Sequence, residues 1–470
     1  MTGGFYGPRH GGPRLRARIA RLVLFSAPLL LAHAAGAQTL TQAWERALSA
    51  EPGLQAARAG QRAAIERTHQ AFGALLPQLD ASFNGQKNWR DSITGDSPGP
   101  EIGEHYPTRN SQLNLTQPLW RPLNLATLAQ ARAAEQQLAF QQVATQQDLH
   151  TRFIVAWFDV MGARDNVLQG VEQASAARQQ QEVMLRGSAL GTHNEVQLTD
   201  AQARYQQALA DSAAAEAELD AKLALLEQLT GPLPGFVPPT WRASAPGPAF
   251  GAPEPLEQWL DRINADNPAV RAAERALAAA REEVNRQLAL HSPTLDLVAR
   301  RARILQGSGN SPGQSGYRSR EHSVGLQLNV PLFSGGTTSA RVREAEANAD
   351  KARADLESAR RSAVAQARQG WSSAQAAQAR LAASGHAVYA AQVALRAATT
   401  ARGTGLRTML EELQARQQLA AARRDQERAR YDGVVGLVRL LAAAGQPAEG
   451  LLPQLELMLG SRQDEAAPRP

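Results

Sequence analysis

A chain of 470 residues without cysteine excludes disulfides, thiolate metal sites and Cys nucleophiles, and with them a lipid anchor on an N-terminal cysteine. Aromatics are only 5% while hydrophobic residues reach 43%; alanine fills the difference, and with Gln, Arg, Glu and Leu it gives the composition of long helices and coiled coils. The formal charge of +6 falls to +1 without residues 1–37, which hold five arginines and no acid, and a nearly neutral remainder argues against nucleic-acid binding.

Arg9 to Arg21 form a positive n-region, Leu22 to Ala32 an apolar run of 11 residues, and Ala35-Gly36-Ala37 an A-x-A cleavage site. The reading is a signal peptide over 1–37 and a mature start at Gln38. Eleven residues are too few to span a bilayer as a helix, which needs roughly 20, and no later stretch holds 18 consecutive apolar residues. An exported chain of this kind is periplasmic, secreted or an outer-membrane β-barrel.

From Leu40 onward the chain is written twice. LTQAWERALSAEPGLQAA (40–57) answers LEQWLDRINADNPAVRAA (256–273), with Pro52 and Pro268 offset by 216. Pro77-Gln78-Leu79-Asp80 answers Pro293-Thr294-Leu295-Asp296, LNLTQPLW (113–120) answers LQLNVPLF (326–333), Gly191 answers Gly405, and Gly231 answers Gly445. These matches, in order and near one offset, indicate duplication: a first repeat over 38–231, a Pro-rich linker over 232–255, a second repeat over 256–446 and a tail over 447–470 that reads as disordered.

Each repeat opens with a helix (about 40–74 and 256–290) and continues with a strand pair. Strands are predicted at about 79–89 and 111–120, and at about 295–304 and 322–332. Their period-2 alternation suits a sheet with lipid on one side and water on the other, although an edge hairpin on a soluble domain would also alternate. Gly/Pro/Ser-rich loops are expected at 90–110 and 305–321. Proline-free runs then predict helical hairpins over 123–230, with a tip near 191, and over 334–444, with a tip near 405. Ala201, Tyr205, Ala208, Ser212, Ala215 and Leu219 follow a 4-3-4-3-4 spacing, a coiled-coil seam of small residues. Gly335-Gly336, which faintly suggests a phosphate site, is read as the turn from strand into helix.

Four strands cannot close a membrane barrel, and open edges in lipid are forbidden, so the strands must pair between subunits. With so little aromatic mass the hairpins are expected to form a thin wall, and a thin ring of helices continuing a barrel is a tube.

At this point the chain resembles the TolC family of outer-membrane efflux proteins. The resemblance covers 38–446 and rests on the duplication, the junctions QPLW (117–120) and NVPLFSGG (329–336), and the tips GTHNEVQLTDAQARY (191–205) and GLRTMLEELQA (405–415). The fold class it implies is mainly α with a membrane β-barrel part: a homotrimer sharing one 12-stranded barrel, continued by an α-helical coiled-coil tunnel across the periplasm. It implies the outer-membrane channel of a tripartite efflux pump or a type I secretion system, docked with a periplasmic adaptor (membrane fusion) protein and an inner-membrane ABC or proton-driven transporter. It also implies a pore constriction at the tips, where Glu411 and Gln414 match an acidic ring and Glu412 lies beside it. Arg407 matches a position that ties neighbouring coils shut; its counterparts Val196 and Gln197 depart from the family pattern, leaving Glu195 as the candidate partner. Gly191, Thr192, Gly403, Gly405 and Leu406 are the expected adaptor contacts.

No catalytic, cofactor or metal site is expected. His69, His105, His150, His193, His291, His322 and His386 form no ligand spacing, and no P-loop, G-x-S-x-G or dinucleotide fingerprint occurs. The competing readings are a periplasmic adaptor, which would carry a lipoyl-like β domain around a single hairpin, and a coiled-coil scaffold, which leaves the strand pairs unexplained. A hydrolase would lack any nucleophile–base pair.

Overall fold

The computed structural model describes residues 39–92, 102–190, 194–241, 255–308, 315–404 and 406–460; the predicted signal peptide lies outside them. In the first repeat, α1 (Leu40–Ala50) and α2 (Pro52–Gly73) lead to β1 (Gln78–Ser92) and β2 (Ile102–Trp120), then α3 (Pro122–Ala189) and α4 (Glu195–Thr230). After a short β3 (Thr240–Trp241), the second repeat runs α5 (Leu256–Asp266), α6 (Pro268–Leu288), β4 (Thr294–Gln306), β5 (Tyr317–Asn329), α7 (Thr337–Gly403) and α8 (Met409–Ala443). A final α9 (Leu452–Met458) and β6 (Leu459–Gly460) follow.

The opening helix of each repeat is in fact two. Pro52 and Pro268 stand at the first turn of α2 and α6, where the missing N–H costs nothing. The residue before each caps the new helix: Glu51 accepts from the Leu54 N–H at 2.7 Å, and Asn267 accepts from Ala269 and Val270. Buried Asn267 also donates to the Ala443 carbonyl at 2.7 Å, tying this elbow to the end of α8.

The strands form one antiparallel sheet in the order β1-β2-β4-β5, so the two strand pairs meet at β2–β4 and the edges are β1 and β5. Register separates two faces. One carries Leu79, Phe83, Leu113, Leu115, Leu297, Val324, Leu326 and Leu328, with Phe83 81% and Val324 77% exposed. The other is polar and knitted by side chains: Asn114 donates to Asp80 (2.9 Å), Asn88 to Thr108 (2.8 Å) and Arg300 to Gln112 (2.7 Å). The strands reach further than the alternation suggested. Residues 90–92, 102–110, 305–306 and 317–321, expected as loops, continue the ladder: β1 and β2 pair out to Ser92 and Ile102, Thr108 to Asn110 also pair with β4, and Leu305 and Gln306 pair with Arg318 and Tyr317. At the opposite end, β5 stops at Asn329 rather than about 332.

The junctions explain how strand becomes helix. Pro118 sits at a register shift in β2, where a missing donor is tolerated. Gly335 (φ 61°) and Gly336 (φ 79°) occupy the left-handed region and turn the chain into α7. Across the first junction, Arg121 grips Asp296 with two parallel hydrogen bonds of 2.8 and 2.7 Å, joining the start of α3 to β4. The α3 helix has 68 residues, about 100 Å at 1.5 Å per residue. It packs against α2, α4, α6 and α8. Along α4 the predicted seam is the inward face, with Ala201, Ala208 and Ser212 buried. On α7 and α8, a Cβ at Gly436 would lie 3.1 Å from the Ala374 backbone, so glycine lets these helices touch.

The aromatic core lies midway along α3. Phe153, Trp157 and Phe158 pack with Trp44 of α1, Leu226 of α4 and Tyr431 of α8. Here two readings need correction. The segment 232–255 is not wholly irregular: Leu233 and Trp241 are core residues, and β3 pairs with β6. Nor is 447–470 a disordered tail throughout, because Leu452, Leu455 and Leu459 are buried in the same cluster; residues 461–470 lie outside the described residues. A second cluster joins Trp259, Ile263 and Val270 to Leu356 and Leu440.

Candidate pore tip and docking end

The hairpin tips form the end of the molecule away from the sheet. At the second tip, α7 closes through hydrogen bonds from the Leu406 and Arg407 N–H groups to the Ala401 carbonyl. Thr408 then caps α8: its hydroxyl accepts from the Glu411 N–H at 3.3 Å, and the Glu411 carboxylate accepts from the Thr408 N–H at 2.8 Å. This reciprocal box fixes the first turn of α8 and places a negative charge at the positive end of the helix dipole. At the first tip, Asn194 and Gln197 form the same box.

The adjacent glutamates have different surroundings. Glu411 and Gln414 are exposed, as is Arg407. Glu412 is 2% exposed. One of its oxygens accepts from Arg416 at 2.6 Å, and the other lies 2.6 Å from Arg402 Nε, without the alignment of a hydrogen bond. Arg402 closes α7, so Glu412 is a clasp between the two arms of the hairpin. Sequence reasoning placed Glu412 beside the ring; the structure turns it inward. It also missed Arg402. The Glu412–Arg416 spacing is legible as an i,i+4 pair, whereas Arg402 reaches Glu412 only across the turn. Among the described residues, no hydrogen bond or ion pair joins Arg407 to Glu195, Val196 or Gln197.

Gly403 ends α7 in open space, and Leu406 beside it is 82% exposed. Gly191, Thr192 and Gly405 lie outside the described residues. Leu190 and Val196, on the first tip, are 79% and 74% exposed. Behind the tips an open groove of about 940 Å³ separates α3 from α8, with Glu172, Gln173, Arg416, Arg423 and Glu427 in its lining. Burial pushes the Glu427 carboxyl above its ordinary range, against the pull of Arg430.

The sheet, hairpins and tips match known proteins. The model of the family described as outer membrane efflux protein matches residues 43–232 and 259–446. The alkaline protease secretion protein AprF of Pseudomonas aeruginosa is 30% identical over 429 residues, covering 89% of this chain and 86% of that protein. The outer membrane protein TolC of Vibrio cholerae is 28% identical, covering 89% and 93%. Among solved structures, the Campylobacter jejuni CmeC outer membrane channel superposes with a TM-score of 0.71 at 16% identity, covering 89% of each chain; at that identity the likeness concerns the fold.

Proposed function

Because the chain belongs to the outer membrane efflux protein family, we propose that it is the outer-membrane channel of a tripartite efflux pump or type I secretion system, a passive exit duct reaching through the periplasm. One observation carries this reading: a four-stranded sheet with an apolar face, a polar face and two edges left unpaired among the described residues. In lipid those edges must find partners. Three copies give twelve strands in one closed barrel, apolar outward and polar around a wet bore. A coiled-coil scaffold in water would have no use for such a face.

The long hairpins continue the bore, and the tips close it. Three Glu411 carboxylates at the constriction, with Gln414 nearby, favour cations and slow anions. Arg407 is the candidate tie between neighbouring coils. Glu412 acts at one remove, by holding each hairpin to its own geometry. A periplasmic adaptor docks on the tips around Gly191, Thr192, Gly403, Gly405 and Leu406. Support for a docking role comes from the exposed side chains of Leu190, Val196 and Leu406 and from the groove behind them. An inner-membrane ABC or proton-driven transporter supplies the energy.

Membrane fractionation and planar-bilayer recording test the proposal together. The protein is expected in the outer membrane as a heat-modifiable trimer that forms cation-selective pores. A stable monomer without conductance would sink the duct. Within that assay, Glu411→Ala is expected to shift selectivity several-fold toward anions. Unchanged selectivity removes Glu411 from the constriction.

A further inference from the structure

The apolar face of the sheet changes character toward the end far from the helices. Every strand joins its helix at the other end: β1 follows α2, β2 enters α3, β4 follows α6 and β5 leads to α7. Moving away from that end, the leucines give way to Lys87, Arg109, Arg301, Arg303, Arg318 and Arg320, all on the same face by register and all exposed. Arg303 stands directly across from Arg320, and Arg301 across from His322. From Leu79 to Trp89, and across the stretches of β2, β4 and β5 paired with it, this face holds no Asp or Glu. Among the described residues none of the six side chains has a hydrogen bond or ion pair. Arg300, on the polar face, shows the contrast, because it donates to Gln112.

A positive band of this kind opposes sheet formation unless something neutralises it. Like charges directly opposite one another on adjacent strands repel, and cations on a lipid-facing surface are penalised except near the interface. Their height matches that exception. On β1 from Leu79 to Lys87, on β4 from Leu295 to Arg303 and on β5 from Leu328 to Arg320, the span is about 27 Å along the strand, or about 21 Å along the membrane normal at a tilt near 40°. This is the upper margin of an apolar band about 25 Å tall. Trp89, 68% exposed on the same face, sits just beyond, where an interfacial aromatic belongs.

We infer that this basic band is a binding site for phosphate-bearing glycolipid headgroups of the outer leaflet, with the arginines of β4 and β5 as its centre. Guanidinium forks suit phosphate oxygens bidentately, and a phosphate between Arg303 and Arg320 converts their repulsion into a shared contact. The inference rests on the duct reading, since that reading turns this face to lipid and this end to the cell exterior.

The test uses the purified full chain in detergent. It is incubated with lipopolysaccharide or with the same glycolipid after phosphatase treatment, and the lipid retained through gel filtration is measured. The phosphorylated form should be retained at least tenfold better, and R301Q/R303Q/R318Q/R320Q should lose at least tenfold of that retention. Equal retention of the two forms, undiminished retention by the quadruple variant, or displacement by an equal concentration of inorganic phosphate would overturn the site. The phosphatase comparison needs no variant, so it decides even if the quadruple fails to assemble. Conductance of the same preparation separates the two ideas: conducting pores without phosphate preference sink the lipid site alone, and an absence of pores sinks the duct as well.

Discussion

Truncation after Gly450 is expected to destabilise the middle of the molecule by about 5 kcal/mol. It removes Leu452, Leu455 and Leu459, which are 3%, 5% and 7% exposed. Each buried leucine contributes about 1.5–3 kcal/mol, an upper bound because the unfolded chain is itself partly collapsed. The same cut unpairs β3 and removes Glu456, which accepts a hydrogen bond from the Thr41 hydroxyl. Trp44, Trp157 and Trp241 lie in this cluster, so their fluorescence during guanidinium unfolding reports the loss directly. Truncation after Gly460 is the matched control, since it leaves all of these contacts in place. Were the segment a loose tail, the two truncations would unfold alike.

Acidification should weaken the same core through His150. This side chain is 4% exposed, lies edge-on to Trp44 at 4.8 Å, and neither of its ring nitrogens has a hydrogen-bond partner among the described residues. Burial lowers its pKa from 6.5 to about 4, with Glu449 pulling weakly the other way. The folded state therefore stays unprotonated where the unfolded chain takes up a proton. Stability from this site is complete above about pH 7. It declines as the pH falls through 6.5 and reaches its full loss near pH 4, a change of about 3 kcal/mol for a shift of this size. His150→Phe should flatten that part of the profile. The measurement is the difference between wild type and variant in guanidinium midpoint at pH 7, 5.5 and 4.5, which cancels the carboxylates common to both. An unchanged slope would mean that His150 is not buried uncharged.

The duplication, strand pairs and hairpins were legible because their signals are local: period-2 alternation, proline-free runs, a seam of small residues, and glycine at Gly335 and Gly336 where positive φ is required. What escaped notice depends on contacts distant in sequence. Residues 102–110 carry Gly, Pro and charge like a loop, yet all of them pair with β1, and Thr108 to Asn110 also pair with β4, more than 190 residues later. Leu452, Leu455 and Leu459 show no long period, because the first two lie on a helix of only seven residues and Leu459 on the two-residue β6. Glu412 and Glu411 look equivalent as a doublet; only the fold sends one under Arg402 and leaves the other at the surface. In the tip, sequence grouped Glu411, Glu412 and Gln414 without separating the exposed carboxylate from the clasp.

The paired grip of Arg121 on Asp296 fastens the foot of the longest helix in the first repeat to a strand of the second. In the proposed duct, torque applied at the far end of the hairpins is therefore met by a fixed collar. There the rim acts as a stator, and any iris-like dilation falls to sliding among the rods below it.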